Sequence, residues 1–332
     1  MKRMRMLVLG GTAWLGREVA SQALEAGHDV VCVARGTSGE PAPGVRMVTA
    51  DRDHDDALAA VAGESWDAVV DVARQPGQVR RAARDLSHAS HFVFVSTGNV
   101  YADHLRTGQD ESAARLEPLT GDAMGSMEEY GAAKVSCEDV VLDVFGDRAT
   151  IARSGLIGGP GDTSDRSGYW PFRFSRPSNA EATVLAPDVQ DLGTAVIDVR
   201  DLAAWLVLCA VERVAGAFNA AGSVVPLGEH LRSCREVTGH RGEIAWAAPD
   251  WLRENGVQEW TGPRSMPLWL PDEELGFTAH RNAAALSAGL SPRPLESTLA
   301  DTLAWRLVAP DRALGSGLTD TEETDLLARR PG

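Results

Sequence analysis

Lysine is almost missing from this chain of 332 residues. Lys2 and Lys134 are the only two, and arginine carries nearly all of the positive charge. Acidic side chains outnumber basic ones by 47 to 32, for a formal net charge of -15. A surface so poor in clustered cations does not suit a nucleic-acid backbone, and no nucleic-acid partner is expected. Apolar runs are short: Met6-Leu7-Val8-Leu9 stops at Gly10-Gly11. That is well below the core of a secretory signal or a membrane span, so no membrane association and a cytoplasmic location are expected. Cys32, Cys137, Cys209 and Cys234 form no Cys-x-x-Cys pair and read as buried thiols. The eight histidines are equally dispersed, with no His-Glu-x-x-His spacing, and no metal is expected.

The chain does hold enough apolar residues, 44%, for a substantial core. In the first half, β-rich runs at 6–9, 29–33, 45–48, 68–72 and 92–95 alternate with helical stretches at 14–26, 55–62, 76–87 and 128–144, and a sixth strand is predicted near 150–153. Near-continuous apolar strands suit a parallel sheet covered on both faces, and this order predicts an α/β, doubly wound fold. Beyond Arg153 the regularity fades. Residues 165–187 are rich in Gly, Pro, Ser and aromatics without clear periodicity, and helices are predicted at 201–213, 227–237, 281–288 and 295–307. The division that follows is a dinucleotide-binding domain over 1–160, rejoined by a strand and helix near 192–220, and a smaller C-terminal substrate-binding lobe over 161–332.

Two patterns carry chemistry. Between the first strand and first helix lies Gly10-Gly11-Thr12-Ala13-Trp14-Leu15-Gly16, small residues at every third position where a pyrophosphate approaches the main chain at a helix N-terminus. Arg35 stands where an acidic residue would hold an adenosine ribose. Unless it simply faces solvent, it favours a 2′-phosphate, hence NADP(H), with NAD(H) left open. Asp51-Arg52 flank the adenine position, or Asp51 caps the following helix. The second pattern is Tyr130-Gly131-Ala132-Ala133-Lys134. On a helix, residues four apart share a face, and an ammonium beside a phenol favours its ionised form, which makes the tyrosine a usable acid and base.

Together with Asp71-Val72-Ala73, Ser96-Thr97, Arg153, Gly159-Pro160-Gly161 and Ile197-Asp198-Val199-Arg200-Asp201, these residues resemble the extended or atypical short-chain dehydrogenase/reductase superfamily, in its NAD-dependent epimerase/dehydratase branch. The resemblance covers most of the chain. It implies a Rossmann-type fold, a nicotinamide cofactor and a catalytic group of Thr97, Tyr130 and Lys134, with Ser96 as neighbour. It implies cofactor contacts from Gly10, Thr12, Ala13, Trp14, Leu15, Gly16, Arg35, Asp51, Arg52, Val72, Ala73, Arg74 and Ser96, and from Ser154 and Gly155, alongside Tyr130 and Lys134. Arg74, Asn99, Arg166, Tyr169 and Trp170 are candidates to meet a small-molecule substrate, with a structural role open for each. Gly98-Asn99 stand where sugar-nucleotide dehydratases place Asp-Glu, which disfavours dehydration. Arg153-Ser154-Gly155-Leu156 departs from the Arg-Pro-x-Asn stretch of nucleotide-sugar enzymes. The implied activity is oxidoreduction of a small metabolite, with epimerisation as the alternative and a non-catalytic dinucleotide-sensing or RNA-associated scaffold as a rival of another class. Helices 76–87 and 128–144 can pair between subunits, so a homodimer is an open expectation.

Overall fold

The computed structural model describes residues 3–330. In chain order the first half runs β1 (Arg5–Leu9), α1 (Trp14–Glu25), β2 (Asp29–Ala34), β3 (Arg46–Thr49), α2 (Ala59–Ala62), β4 (Ala68–Asp71), α3 (Pro76–Asp85), β5 (Phe92–Thr97), α4 (Tyr130–Phe145) and β6 (Ala149–Ser154). The second runs β7 (Leu156–Gly158), α5 (Tyr169–Ser175), β8 (Val184–Pro187), β9 (Gly193–Thr194), β10 (Val196–Asp198), α6 (Val199–Glu212) and β11 (Gly216–Ala220), then β12 (Val225–Pro226), α7 (Leu227–Thr238), β13 (Ile244–Ala247), α8 (Pro249–Glu254), β14 (Gln258–Glu259), β15 (Ser265–Met266), α9 (Ala283–Ser287), α10 (Leu295–Val308) and α11 (Asp320–Arg329).

Seven parallel strands form the central sheet in the order β11-β6-β5-β4-β1-β2-β3. The order reverses direction between β1 and β4, the doubly wound arrangement that opens a crevice at the strand ends. Strands such as Ala68–Asp71 are buried along their whole length because helices cover both faces. Burial of each valine there stabilises the fold by about 1.5–3 kcal/mol. On one face α1 presents Leu15, Val19, Ala20 and Ala23 to the core shared with α6, and Gly27 (φ +87°) supplies the left-handed turn after the helix. Asp198 caps α6 by accepting from the Arg200 N–H at 2.9 Å.

A second apolar core lies in the C-terminal half, around Trp170, Phe174, Leu185, Leu231, Met266, Trp269 and Leu326. Residues 165–187 are more regular than their composition suggests: they contain α5 and β8. Pro171 reads as a helix breaker, yet it sits in the first turn of α5, where a missing N–H costs nothing. Conversely, the helix expected over 55–62 shortens to Ala59–Ala62. Arg173 of α5 reaches Asp320 at 2.6 Å and Glu323 at 3.3 Å, which anchors the C-terminal helix. No helix among the described residues is long and apolar enough to cross a membrane.

Candidate active site

The loop after β1 is built for close approach. Gly10 takes φ +100°, and a Cβ on Gly16 would stand 2.3 Å from the Gly10 carbonyl oxygen. A cleft of about 280 Å³ opens above it, lined by Gly10, Thr12, Ala13, Arg35, Asp51, Arg52, Val72, Ala73 and Arg74. Thr37, Ser38, Asp53, Gln75 and Gln78 also line it and carried no motif by which to find them. Glycines that leave no space for a side chain, at the N-terminus of α1, fit a dinucleotide pyrophosphate.

The predicted cofactor residues divide into several roles. Arg35 and Arg74 are exposed on the cleft rim. Arg52 is not a free cation: it grips Asp71 with two bonds of 2.7 Å and donates to the Gln78 carbonyl at 3.0 Å. Asp51 accepts from the Asp53 N–H at 3.1 Å in a local turn and lines the cleft; it does not cap α2, whose N-cap is Leu58. Leu15 packs into the core under the sheet. Trp14 turns away from the loop, donating from Nε1 to the Pro160 carbonyl at 2.9 Å. Ser96, Ser154 and Gly155 do not reach the cleft. The Ser96 hydroxyl donates to Glu138 at 2.5 Å, Ser154 donates to the Ser96 carbonyl at 3.1 Å, and Gly155 lies against Ala221. Strand alternation is the reason for Ser96: next to Thr97, it points to the opposite face.

Tyr130 opens α4, and one turn on the buried Lys134 lodges its ammonium between two strand ends. Nζ donates to the carbonyls of Ala73, 2.7 Å, and Val95, 2.6 Å, and stands 4.6 Å from the Phe94 ring centre and 6.0 Å from that of Tyr130. Thr97 ends β5. Its hydroxyl donates to Asn99 Oδ1 at 2.7 Å and accepts from the Asn99 N–H at 3.3 Å, capping the 98–100 turn. Gly131 presses against that turn: a Cβ there would lie 2.3 Å from the Asn99 carbonyl oxygen. The structure thus brings the start of α4 onto the end of β5, with Asn99 between Thr97 and Gly131.

Beneath the site lies a buried ionic network. Glu138, one further turn along α4, accepts from Ser96, from Arg115 at 3.0 Å and from Arg153 at 2.8 Å, and Arg153 also donates to the Tyr101 hydroxyl at 3.1 Å. Burial raises the Tyr101 pKa, with Arg153 opposing. Tyr101 donates to Asn219 of β11 at 2.6 Å. His280 stacks on Tyr101 at 4.7 Å and backs onto Gly98. Burial, helped by His104 and Arg153, pulls its pKa down to about 4, so the ring is neutral. The spacing Tyr130, Lys134, Glu138 is one helical stripe, the signal by which Glu138 was findable.

Of the substrate candidates, Asn99 is bound to Thr97, as above. Arg166 is partly buried, with Nε donating to the Ser164 hydroxyl at 3.2 Å. Tyr169 and Trp170 have no accessible surface. Trp170 donates to the Pro267 carbonyl at 2.8 Å within the second core, so both rings are packing residues and not pocket lining.

The solved structure of UDP-glucose 4-epimerase from Thermotoga maritima with UDP-glucose superposes with a TM-score of 0.65 at 17% identity, over 92% of this chain and 100% of that one. The Bordetella bronchiseptica enzyme WbmH in complex with NAD+ gives 0.63 at 17%, over 93% and 99%. RMD from Pseudomonas aeruginosa complexed with NADPH gives 0.61 at 17%, over 92% and 100%. At these identities the likeness is one of fold. No curated protein matches the chain. The sequence profile of the NAD dependent epimerase/dehydratase family matches residues 6–221, which takes in the glycine loop, Thr97, Tyr130, Lys134 and the return of β11 to the sheet. The chain therefore belongs to the NAD dependent epimerase/dehydratase family.

Proposed function

We propose that this protein is an NADP(H)-dependent oxidoreductase that reduces a carbonyl, or oxidises a secondary alcohol, on a small metabolite. The observation that carries this reading is Tyr130 at the mouth of α4 with the Lys134 ammonium buried one turn behind it. Tyr130 exchanges the proton with the substrate oxygen, and Thr97 hydrogen-bonds the same oxygen after releasing Asn99. Lys134, fixed by two carbonyls, supplies positive charge beneath the phenol. The nicotinamide dinucleotide, when bound, supplies or takes up the hydride. Gly10, Thr12 and Ala13 would hold its pyrophosphate, and Arg35, with the Thr37 and Ser38 hydroxyls beside it on the same cleft wall, would hold a 2′-phosphate. Residues 1–160, rejoined by the strand and helix near 192–220, act as the cofactor domain and the rest of 161–332 as the substrate lobe.

Titration with NADPH and NADH tests the cofactor assignment: NADPH should bind at least tenfold more tightly, and Arg35→Asp should abolish the difference. Equal affinities in the unaltered protein would overturn it. A panel of carbonyl compounds with the preferred cofactor then tests the chemistry, and Tyr130→Phe should remove turnover while leaving cofactor affinity intact. A sensor or scaffold would keep its behaviour in that variant.

Epimerisation is the second reading, supported by family membership and by a fold shared with UDP-glucose 4-epimerase. It would use the same three residues. A cofactor that stays bound through purification, and turnover without net absorbance change at 340 nm, would favour it.

A further inference from the structure

Arg166 differs from every other described arginine that is at least partly buried. The others all reach a carboxylate, as Arg52, Arg153, Arg200 and Arg306 do, or a backbone carbonyl, as Arg148, Arg235 and Arg330 do. Among the described residues, the Arg166 guanidinium makes its one hydrogen bond to the Ser164 hydroxyl. The nearby acid, Asp162, spends one oxygen on the N–H and hydroxyl of Ser164 and the other on those of Ser167. Asp162 remains a favourable charge nearby, but the guanidinium touches no carboxylate, and its terminal nitrogens are open to a ligand anion.

The surroundings of Arg166 are fixed from two directions. The preceding residue, Asp165, takes φ +56° and is pinned by Arg312 at 2.7 Å and by the Gly315 N–H at 2.8 Å. On the other side the guanidinium carbon lies 5.6 Å from the ring centre of Trp260, itself at φ +65° and held edge-on by Phe277 at 5.6 Å. Left-handed backbone at two non-glycine residues is unfavourable and gathers where a side chain must be aimed. Burial lowers the Arg166 pKa, opposed first by the Asp162 charge and then by Tyr130, so Tyr130 lies within electrostatic reach of the guanidinium.

We infer that Arg166, braced by Trp260, is the recognition site for an anionic group, a carboxylate or a phosphate, carried by the substrate whose oxygen meets Tyr130. The planar fork suits either anion by paired hydrogen bonds. This rests on the reading of Tyr130 as the acid–base group, and it narrows the substrate to an acidic small metabolite.

Equilibrium binding of benzoate, phenyl phosphate and neutral benzamide to the full chain tests it, with Arg166→Gln, Arg166→Lys and Arg241→Gln alongside and NADPH affinity measured separately. One of the two anions should bind saturably, and the tighter one identifies the group; benzamide should bind at least tenfold more weakly. Arg166→Gln should weaken the anion about tenfold or more, Arg166→Lys should recover part of it, and the exposed Arg241→Gln should leave it unchanged. Because Arg166 touches no carboxylate, Arg166→Gln should leave the melting temperature of the free protein nearly unchanged, whereas loss of a structural arginine would lower it. Equal anion binding by the unaltered protein and Arg166→Gln, or no saturable anion binding at all, overturns the inference. Failure of NADPH to bind would instead strike the oxidoreductase reading and leave the anion result to stand by itself.

Discussion

Gly131 and Asn99 are in direct backbone contact: there is no space for even a methyl group between the α-carbon of one and the carbonyl oxygen of the other, 2.3 Å from where a Cβ would lie. That contact sets the register of Tyr130 against the strand end that carries Thr97. Gly131→Ala must push α4 off the 98–100 turn, and it is expected to lower stability by about 1–3 kcal/mol. Urea denaturation measures this, and an unaltered midpoint would show that the contact is slack.

Lys134 is expected to matter to the fold as well as the chemistry. Its ammonium satisfies the carbonyls of Ala73 and Val95, and bonds from a charged donor contribute roughly 1.5–3 kcal/mol each. Lys134→Met should therefore destabilise the protein and weaken dinucleotide binding, since Ala73 forms part of the cleft wall. Lys134→Arg should not rescue either property, because the planar fork does not fit a site shaped for a compact ammonium. Calorimetric titration with NADPH separates the two variants from the unaltered chain; full affinity in Lys134→Arg would contradict the fit.

Glu138 is the acceptor for three donors, from Ser96, Arg115 and Arg153, with no exposed surface. Neutralising it in Glu138→Gln leaves Arg153 buried beside an amide, a change that costs about 3–5 kcal/mol in comparable buried pairs. The exposed Arg80–Asp122 pair offers a contrast. Asp122→Asn should leave the unfolding midpoint where it was. Similar midpoints for both variants would mean that the buried network carries no special weight.

Stability should also fall on mild acidification. Burial is the main cause that brings His91, His230 and His280 from the usual 6.5 down to about 4. Below pH 6.5 these histidines protonate in the unfolded chain but stay neutral in the folded one, so the unfolded state binds more protons and gains. The loss begins near pH 6.5, ends near pH 4, and amounts to at most roughly 3 kcal/mol per histidine. Comparing denaturation at pH 7.5 and pH 5 keeps above the carboxylate range. Equal stabilities would show that these rings do take up protons in the native state.

Local chemistry explains which features could be read in advance. Val69 and Val70 lie in an apolar run covered on both faces, and the glycine loop and the Tyr130–Lys134 spacing need only sequence neighbours to be recognised. Long-range placement was not legible. Nothing local says that Trp260 packs against Arg166, or that Tyr169 and Trp170 turn inward while Arg166 touches no carboxylate. Ser96 and Thr97 show the same limit at the smallest scale: adjacent hydroxyls on one strand, of which the period of two allows only one to face the site.

Trp14 joins two halves that sequence places far apart. It belongs to the nucleotide loop, yet its indole is clasped to Pro160 and lies flush against Gly161, five residues before Arg166. In the proposed reading, a coenzyme settling on the loop would bear, through a single ring, on the turn that leads to Arg166.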